Sequence, residues 1–229
     1  MSTSMLTLSV IVPVLNECAV IGRAIEACRQ AGCCEIIVVD GGSVDGTWEA
    51  AALADIRLKS PAGRAMQQNF GAAKASGDVL LFLHADSILP ADASKQIVAA
   101  MQDSSVIGGC FQQTIDAPGW CYRWIAWGNG LRVRLLGWAY GDQGIFIKRT
   151  LFEEVGGFPE LPILEDLYLM KRLKGRGRFV LVEARLGVSA RRWQRDGILR
   201  RTLKNWSLLL RAHLGWPLTQ LAKEYRNVR

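Results

Sequence analysis

Four carboxylates in the first half of the chain stand at or just beyond the ends of apolar runs: Glu17, Asp40, Asp45 and Asp86. A carboxylate in the position of Asp40 can accept hydrogen bonds from the N–H of a base or from a ribose hydroxyl. A carboxylate in the position of Asp86 can hold Mg²⁺ or Mn²⁺ together with substrate phosphates. These residue types therefore predict a nucleotide site.

Three of these residues also have a plainer interpretation, and for Asp40 and Asp45 it is that of a turn residue next to glycine. Asp45 can cap a helix that begins near Gly46, and Asp86 can cap one that begins near residue 90. His84 could ligate Mn²⁺, stack on a base or fill space, and we expect one of the last two. For Asp86 the residues alone leave both roles open.

A second pair of carboxylates, Glu165 and Asp166, follows a loop containing glycines and prolines and opens a predicted helix. Acidic residues in a first turn complement the helix dipole, which would account for one of them. A carboxylate at the mouth of a cleft is also what a general base requires. Arg64 begins another predicted helix, where it could contact a base or phosphate, or simply face solvent.

The elements that position these residues alternate between strand and helix over the first 100 residues, which predicts βαβ units and a mostly parallel sheet. After a first strand that ends before Asn16, strands are expected at 35–39, 56–58, 78–83, 106–114, 144–148 and 178–182. Helices are expected at 18–32, 43–54, 64–75, 90–101, 151–155, 166–174 and 197–213, with an amphipathic aromatic segment at 120–136. No linker divides the chain, so residues 1–229 are predicted to form one domain.

The charge is uneven. The 229 residues carry a net charge of +7, but residues 185–229 hold eleven basic and two acidic residues, so the remainder is slightly negative. This argues against a general nucleic-acid-binding domain and for a local anionic partner. The six cysteines lack zinc or disulfide spacing, and no signal peptide or spanning segment is present, which favours a cytoplasmic protein.

Two aromatic and apolar segments have more than one interpretation. In the predicted C-terminal helix an apolar stripe runs beside a basic one, and we expect it to dock on the body rather than on an anionic membrane. Residues 120–138 could form an acceptor wall, a dimer face or aromatic core, and core is the expectation. The apolar stripe consists of Leu199, Leu203, Trp206, Leu210 and Leu214.

The order of these motifs resembles the family-2 glycosyltransferases of the GT-A fold, from about Thr7 to Trp193. The motifs are Pro-x-x-Asn-Glu, Asp-Gly-Gly-Ser-x-Asp-Gly-Thr, Gly-Arg-Ala-x-Gln-x-Asn, His-Ala-Asp, Gly-Asp-Gln-Gly, Glu-Asp and Arg-Arg-Trp. The pattern with Leu-His-Ala-Asp is similar to a compact bacterial subgroup that has been linked to arsenosugar biosynthesis. The fold implied is α/β: a single Rossmann-like domain with a mostly parallel sheet and a C-terminal helical segment.

The resemblance implies roles for particular residues. Asp166, beside Glu165, matches the catalytic base, and Arg192 would offset charge on the departing diphosphate. The Asp-x-Asp metal motif reads His84-Ala85-Asp86 here, so the first carboxylate is missing and Asp86 is left as the metal ligand. The nucleotide sugar would contact Pro13, Asn16, Glu17, Asp40, Gly42, Asp45, Arg64, His84, Ala85, Gln143 and Trp193.

The implied activity is transfer of a sugar from a nucleoside-diphosphate sugar, with UDP favoured, to a hydroxyl of a small or lipid-linked acceptor. The reaction would be an inverting displacement assisted by Mn²⁺ or Mg²⁺. Residues 1–105 would bind the donor, 106–190 would shape the acceptor side, and 191–229 would form a basic C-terminal helical segment, for which peripheral contact with the inner face of a membrane is the alternative to docking on the body. A retaining transferase and a non-catalytic nucleotide- or protein-binding relative are the alternatives, and a homodimer is consistent with the aromatic segment.

Overall fold

β-branched and apolar runs form the strands of one eight-stranded sheet in a computed structural model, which describes residues 6–226 except for the side chains of Arg192, His213, Tyr225 and Arg226. The strands are β1 Leu8–Val14, β2 Glu35–Asp40, β3 Ile56–Lys59, β4 Val79–Phe82, β5 Ser87–Ile88, β6 Val106–Asp116, β7 Ile145–Lys148 and β8 Arg178–Ser189. Their order across the sheet is β3-β2-β1-β4-β7-β6-β8-β5.

Helices connect the strands and follow the last one. They are α1 Cys18–Gln30, α2 Thr47–Ala50, α3 Arg64–Ala72, α4 Ala93–Met101, α5 Trp120–Leu136, α6 Arg149–Glu154, α7 Glu165–Leu173, α8 Arg191–Asp196, α9 Ile198–His213 and α10 Leu218–Arg226. A short 3-10 helix spans Gly141–Gln143. Within residues 6–226, none of these helices combines the length and the apolar character needed to span a bilayer.

The first four long strands form the parallel half of the sheet. β1 lies between β2 and β4, and β3 pairs with the outer edge of β2, all in parallel register. The carboxyl ends of β1, β2 and β4 therefore meet at one edge of the sheet. The second half is mixed, because β7 runs antiparallel to β4 and β6, while β6 and β8 are parallel. The predicted α/β class and mostly parallel sheet are confirmed.

Apolar residues fill both faces of the sheet. On one face, α1 and α4 bury residues such as Ile21 and Ile97 against the strands. On the other, Phe82 lies with ring centroids 4.9 Å from Phe152 and 4.8 Å from Phe158. The buried strands hold the loops at their ends in fixed positions, which is what a site at the sheet edge requires.

Two elements differ markedly in length from the prediction. The second helix is one turn, α2, because the chain after Ala50 continues in tight turns that lead into β3. Strand β8 is twelve residues long, not five, because its pairing with β6 resumes after an irregularity that skips Glu183 and Ala184.

The C-terminal segment contains three helices rather than one. Gly197 has a φ of 82°, a left-handed conformation that separates α8 from α9. The expected docking of the α9 stripe on the body is wrong, because Leu199, Leu203, Trp206 and Leu210 are exposed. The expectation of core packing is also wrong for Trp120, Trp124 and Trp127 on α5, since all three are exposed.

Candidate active site

The loops that follow β1 and β2 are joined to each other by reciprocal hydrogen bonds. Asn16 donates its backbone N–H to the Ser43 hydroxyl, at 2.9 Å, and its side-chain oxygen accepts from Val44 N–H at 3.0 Å. Asn16 is one of two non-glycine residues with positive φ in the described chain, at 55°. These two segments, which we call the paired loops, thus form one hydrogen-bonded unit at the sheet edge.

Asp45 extends this unit to the start of two helices. One of its carboxylate oxygens accepts from the backbone N–H and the hydroxyl of Thr47, and the other from Cys18 N–H at 3.1 Å. The Thr47 hydroxyl in turn accepts from Glu17 N–H at 2.8 Å. These bonds to the charged form, the one from Thr47 Oγ1 above all, lower the pKa of the Asp45 carboxyl. Asp45 thus accepts the first backbone N–H of both α1 and α2, although the residues at their N-cap positions are Glu17 and Gly46.

Asp40 is almost completely buried at the end of β2. Its Oδ1 atom accepts hydrogen bonds from the backbone N–H of Gly42 and from both the N–H and hydroxyl of Ser43. Behind this turn, Gln67 of α3 donates to the carbonyls of the residues at the ends of β1 and β2. The structure thus gives Asp40 a turn-forming role, and the same turn carries Gly42 to the sheet edge.

Asp86, Glu17 and Arg191 meet at the same edge. The Arg191 guanidinium lies 3.3 Å from Oδ2 of Asp86 and 3.6 Å from Oε2 of Glu17. This contact exists because β5 pairs with β8, with Ser87 opposite Val188, so that Arg191 emerges beside Asp86. Sequence reasoning assigned charge compensation to Arg192, whose side chain lies outside the described atoms, and missed this role of its neighbour.

Asp166 and His84 both lie close to Gly141. Oδ2 of Asp166 accepts a hydrogen bond from Gly141 N–H at 2.7 Å. A methyl group added to Gly141 would lie 3.1 Å from Nε2 of His84 and 3.5 Å from Oδ2 of Asp166. The carboxylate predicted to act as a base is therefore held within a few ångströms of the strand end that carries the His84-Ala85-Asp86 motif.

Glu165 has a different environment from Asp166, although the two are adjacent. Its side chain is 5% exposed and lies 3.2 Å from the guanidinium of Arg64, across 101 residues of sequence. Burial raises the pKa of Glu165, while the charge of Arg64 opposes that rise. This ion pair fixes α7 against α3, so one carboxylate of the motif anchors the helix and the other faces the edge.

A polar network supports the loop at 141–144. Arg132 of α5 donates to Oε1 of Gln143 at 2.6 Å and to Asn129, and its guanidinium stacks 4.0 Å from the centre of the Tyr140 ring. Gln143 is fully buried, and its Nε2 atom has no hydrogen-bond partner among the described residues. Gln143 therefore supports the loop through its oxygen, while both N–H groups of its amide nitrogen have no partner among the described residues.

The remaining predicted residues are distributed around this edge. Pro13 lies in β1, paired with Val39 of β2. Ala85 is buried beneath the Asp86 loop. Trp193 packs edge-on against Tyr122 of α5, with ring centroids 6.4 Å apart, in a small apolar cluster with Ala190. The described contacts of Trp193 are thus packing contacts of α8.

The donor set for a metal ion at this edge is small. Within residues 6–226, no group of three or more His, Cys, Asp or Glu side chains could hold a metal ion. Asp86 supplies carboxylate oxygens, and one of them lies near Arg191. This set fits a hard cation that takes most of its ligands from phosphates and water, since Mg²⁺ commonly uses one or two carboxylates together with substrate phosphates.

Comparison with solved structures supports the fold. The mannosyltransferase PcManGT from Pyrobaculum calidifontis, in complex with GDP-Man and Mn²⁺, is 20% identical with a TM-score of 0.66, and the match covers 90% of this chain and 65% of that one. S. aureus TarS 1-349 in complex with UDP-GlcNAc is 16% identical with a TM-score of 0.63, and the match covers 80% and 58%. This chain thus spans less than two thirds of either protein.

A third similar structure is glucosyl-3-phosphoglycerate synthase from Mycobacterium tuberculosis, in complex with Mg²⁺ and UDP. It is 21% identical with a TM-score of 0.58, and the match covers 80% of this chain and 70% of that one. No curated protein matches the sequence at a significant level.

The family is identified from the sequence. The profile described as Glycosyl transferase family 2 matches residues 9–153, well over half of the chain. This range includes both paired loops, Arg64, the His84-Ala85-Asp86 motif and the loop at 141–144. The chain therefore belongs to glycosyl transferase family 2 and has the GT-A fold.

Proposed function

We propose that this protein transfers a sugar from a nucleoside-diphosphate sugar, with UDP as the favoured nucleotide, to a hydroxyl group by an inverting single displacement. One observation carries the proposal. Asp166 is fixed by Gly141 N–H beside His84, at the same edge of the sheet as Asp86. In this arrangement Asp166 is suited to accept the proton of an acceptor hydroxyl, and Asp86 is suited to hold a cation that would offset the charge on the departing diphosphate.

The donor half is residues 1–105 in this proposal. The base and ribose lie against the paired loops, with contacts from Pro13, Asn16, Glu17 and Gly42. The buried Asp40 holds the turn that presents them. The loops contribute several ordered backbone groups, which cost little further entropy when they bind a ligand.

The two carboxylates of α7 have different roles in the proposed reaction. Asp166 takes the proton from the acceptor hydroxyl as that oxygen attacks C1 of the donor sugar. Glu165, which is buried and paired with Arg64, keeps α7 in place. The acceptor approaches from residues 106–190, where Gln143 and its loop line the sugar side.

In this proposal, cations near Asp86 offset the negative charge on the departing diphosphate. A divalent cation, Mn²⁺ or Mg²⁺, would supply charge neutralisation there when bound, with Asp86 as its protein ligand. Arg191 already lies at this carboxylate, and Arg192 is the second cation of the same segment. These arginines would neutralise phosphate oxygens as they lose their bond to the sugar.

The first test is thermal unfolding with a panel of UDP-, GDP-, dTDP- and CMP-sugars, each with and without Mn²⁺ or Mg²⁺. A ligand at about 100 times its Kd should add roughly 2.7 kcal/mol of stability. For a domain of this size that corresponds to a shift of about 2–4 °C. A shift with one nucleotide, lost in Asp86→Asn but kept in the exposed control Asp92→Asn, would support the assignment.

The second test follows the chemistry with water as a surrogate acceptor. Released sugar is observed by NMR immediately after it forms, before its anomers equilibrate. The inverting proposal requires the opposite anomer from the donor, and requires that Asp166→Asn abolish release while the melting temperature is kept. Retention of configuration, or full activity of Asp166→Asn, would remove Asp166 from the mechanism.

A non-catalytic nucleotide-binding relative is the second candidate, because one observation favours it. Arg191 pairs with the carboxylate that would otherwise be available to a metal ion. In that case a nucleotide would raise the melting temperature, but no sugar would be released with any donor or metal. The NMR experiment separates this outcome from transfer.

A further inference from the structure

Two helices expose apolar stripes with the same spacing, in steps of four, three, four and four residues. We define the α5 stripe as Trp120, Trp124, Trp127, Leu131 and Leu135. We define the α9 stripe as Leu199, Leu203, Trp206, Leu210 and Leu214, which follows the end of the helix. This spacing places each stripe on one face of its helix.

The stripes are far more exposed than apolar side chains usually are. In the α9 stripe the exposed fractions lie between 62% and 79%, and the three tryptophans of the α5 stripe are 55–71% exposed. Five of the eight tryptophans in the chain are exposed, and all five lie on α5, α9 or the turn after α9. Contiguous exposed apolar surface of this kind marks an interaction site.

The N-terminal ends of the two helices lie close together. Tyr122 of α5 packs against Trp193 of α8, and Ile198 at the start of α9 joins the same small cluster. Helix α10 turns its own apolar residues, Leu221 and Ala222, inward, where they are buried. The α9 stripe therefore remains uncovered within the described part of the chain.

The charges on these helices indicate what covers the stripes. α5 and α9 together carry seven arginine or lysine residues and no aspartate or glutamate, and three of the seven, Arg132, Arg201 and Arg211, are bound to other side chains of the protein. Arg123, Arg134 and Arg200 are exposed beside the stripes. A two-fold dimer through these faces would bring cations against cations, because such an interface pairs a surface with its own copy. A lipid bilayer, which has anionic headgroups and an apolar interior, is complementary to these basic and apolar faces instead.

We propose that the α5 and α9 stripes together seat this protein on an anionic lipid bilayer, with tryptophan and leucine side chains at the acyl boundary and arginine and lysine among the headgroups. Amphipathic helices with tryptophan and leucine on one face and basic residues on the other lie in the interface in this way. Tryptophan is enriched at that level because its ring is apolar and its N–H is polar. The association does not depend on the proposed transfer reaction.

The experiment uses the full chain and two sets of vesicles: phosphatidylcholine alone, and phosphatidylcholine mixed with an equal amount of phosphatidylglycerol. We expect co-sedimentation and a blue shift of tryptophan emission with the anionic vesicles only. Added salt should weaken the binding, because exposed charges are screened. No nucleotide or metal is added, so failure here is independent of failure of the proposed transfer.

Variants test which surface is responsible. Trp206→Glu in α9 and Trp124→Glu in α5 should each weaken vesicle binding by about tenfold or more, since each removes a large apolar group and adds a repelled charge. Leu53→Glu is the matched control, because Leu53 is also exposed but lies in the turn after α2. Circular dichroism melts confirm that each variant is folded.

Three results would overturn the proposal. The first is no binding of the wild-type chain to anionic vesicles. The second is equal binding by Leu53→Glu and Trp206→Glu. The third is a stable dimer in sedimentation velocity that Trp124→Glu or Trp206→Glu dissociates, which would show that a second copy covers the stripes.

Discussion

Removing Arg64 should destabilise the protein in a way that depends on pH, because Arg64 is the partner of the buried Glu165. The change Arg64→Met keeps the apolar stem and removes the charge 3.2 Å from the Glu165 carboxylate. Breaking one side of a buried ion pair leaves an uncompensated charge, which typically costs about 3–5 kcal/mol. Arg64 is 31% exposed, so solvent already screens part of this interaction.

The stability lost in Arg64→Met has an upper bound, because the Glu165 carboxylate can take up a proton rather than remain charged without its partner. A glutamate in an unfolded chain has a pKa of about 4.3, and each pH unit above it corresponds to about 1.36 kcal/mol, so protonation at pH 7 costs about 3.7 kcal/mol. We therefore expect Arg64→Met to lose roughly 2–3 kcal/mol at pH 7.

The sign of the pH dependence follows from the pKa of Glu165. Burial raises that pKa in the folded state, and Arg64 opposes the rise, so the variant should raise it further. A folded-state acid with a raised pKa binds a proton more readily than the unfolded chain does. Stability of the variant should therefore fall, relative to wild type, as pH rises above about 4.3.

The assay is urea unfolding of wild type and Arg64→Met at pH 5, 6, 7 and 8, repeated in a Glu165→Gln background. The difference should grow with pH in the native background and nearly vanish when the carboxyl is an amide. Arg23→Met, an exposed arginine on α1, serves as the control and should change stability by less than about 0.5 kcal/mol. A loss that is constant with pH, or equally large in the Glu165→Gln background, would refute the reasoning.

Three further changes give independent checks of the site, the fold and its acid sensitivity. Gly141→Ala places a methyl 3.1 Å from His84 Nε2; it should lower sugar release about tenfold with little change in melting temperature, whereas Gly128→Ala, with open space around it, should leave release unaltered. Phe82→Ala should cost about 3–5 kcal/mol in urea unfolding, because Phe82 is buried between two other rings; a loss below about 1 kcal/mol would contradict this packing. Asp78→Asn should cost only about 0.5–1 kcal/mol at pH 7, because Asp78 is exposed and its pKa is lowered by hydrogen bonds from the backbone N–H and hydroxyl of Thr7; that contribution exists above the unfolded-state pKa and disappears as pH falls through the folded-state one, so the two proteins should converge in acid.

The parallel half of the sheet could be predicted because each of its strands has a local sequence signal. The strands β1, β2 and β4 are short apolar runs that stop at polar residues. Their alternation with helices predicts parallel strands whose polar ends meet at one edge of the sheet. The end of strand β8 could not be predicted, because Glu183 and Ala184 interrupt its sequence pattern where its pairing with β6 is irregular. Strand β5 has two residues, too few for any periodic signal.

The structure brings several of the candidate residues to one edge of the sheet, but their individual contacts could not be predicted from the sequence. Nothing in the dipeptide Glu165-Asp166 indicates that the first is buried against Arg64 and the second faces Gly141. The contact of Arg191 with Asp86 depends on the pairing of β5 with β8, which sequence reasoning did not include. Periodicity likewise identified the apolar face of α9 but not what covers it, because coverage is a property of the whole molecule.

In the proposed reaction, the paired loops after β1 and β2 also affect how quickly the donor nucleotide binds. Because Asn16 already donates a hydrogen bond to Ser43, these loops do not have to become ordered when a nucleotide binds. The association rate of the nucleotide should therefore be limited by diffusion and orientation. The opposite end of the site is held by Arg191, whose side chain is more than half exposed and contacts two carboxylates through one nitrogen. Any slow rearrangement during turnover should therefore occur at Arg191, and an exchange measurement on the two ends would find the nucleotide side rigid and the diphosphate side mobile.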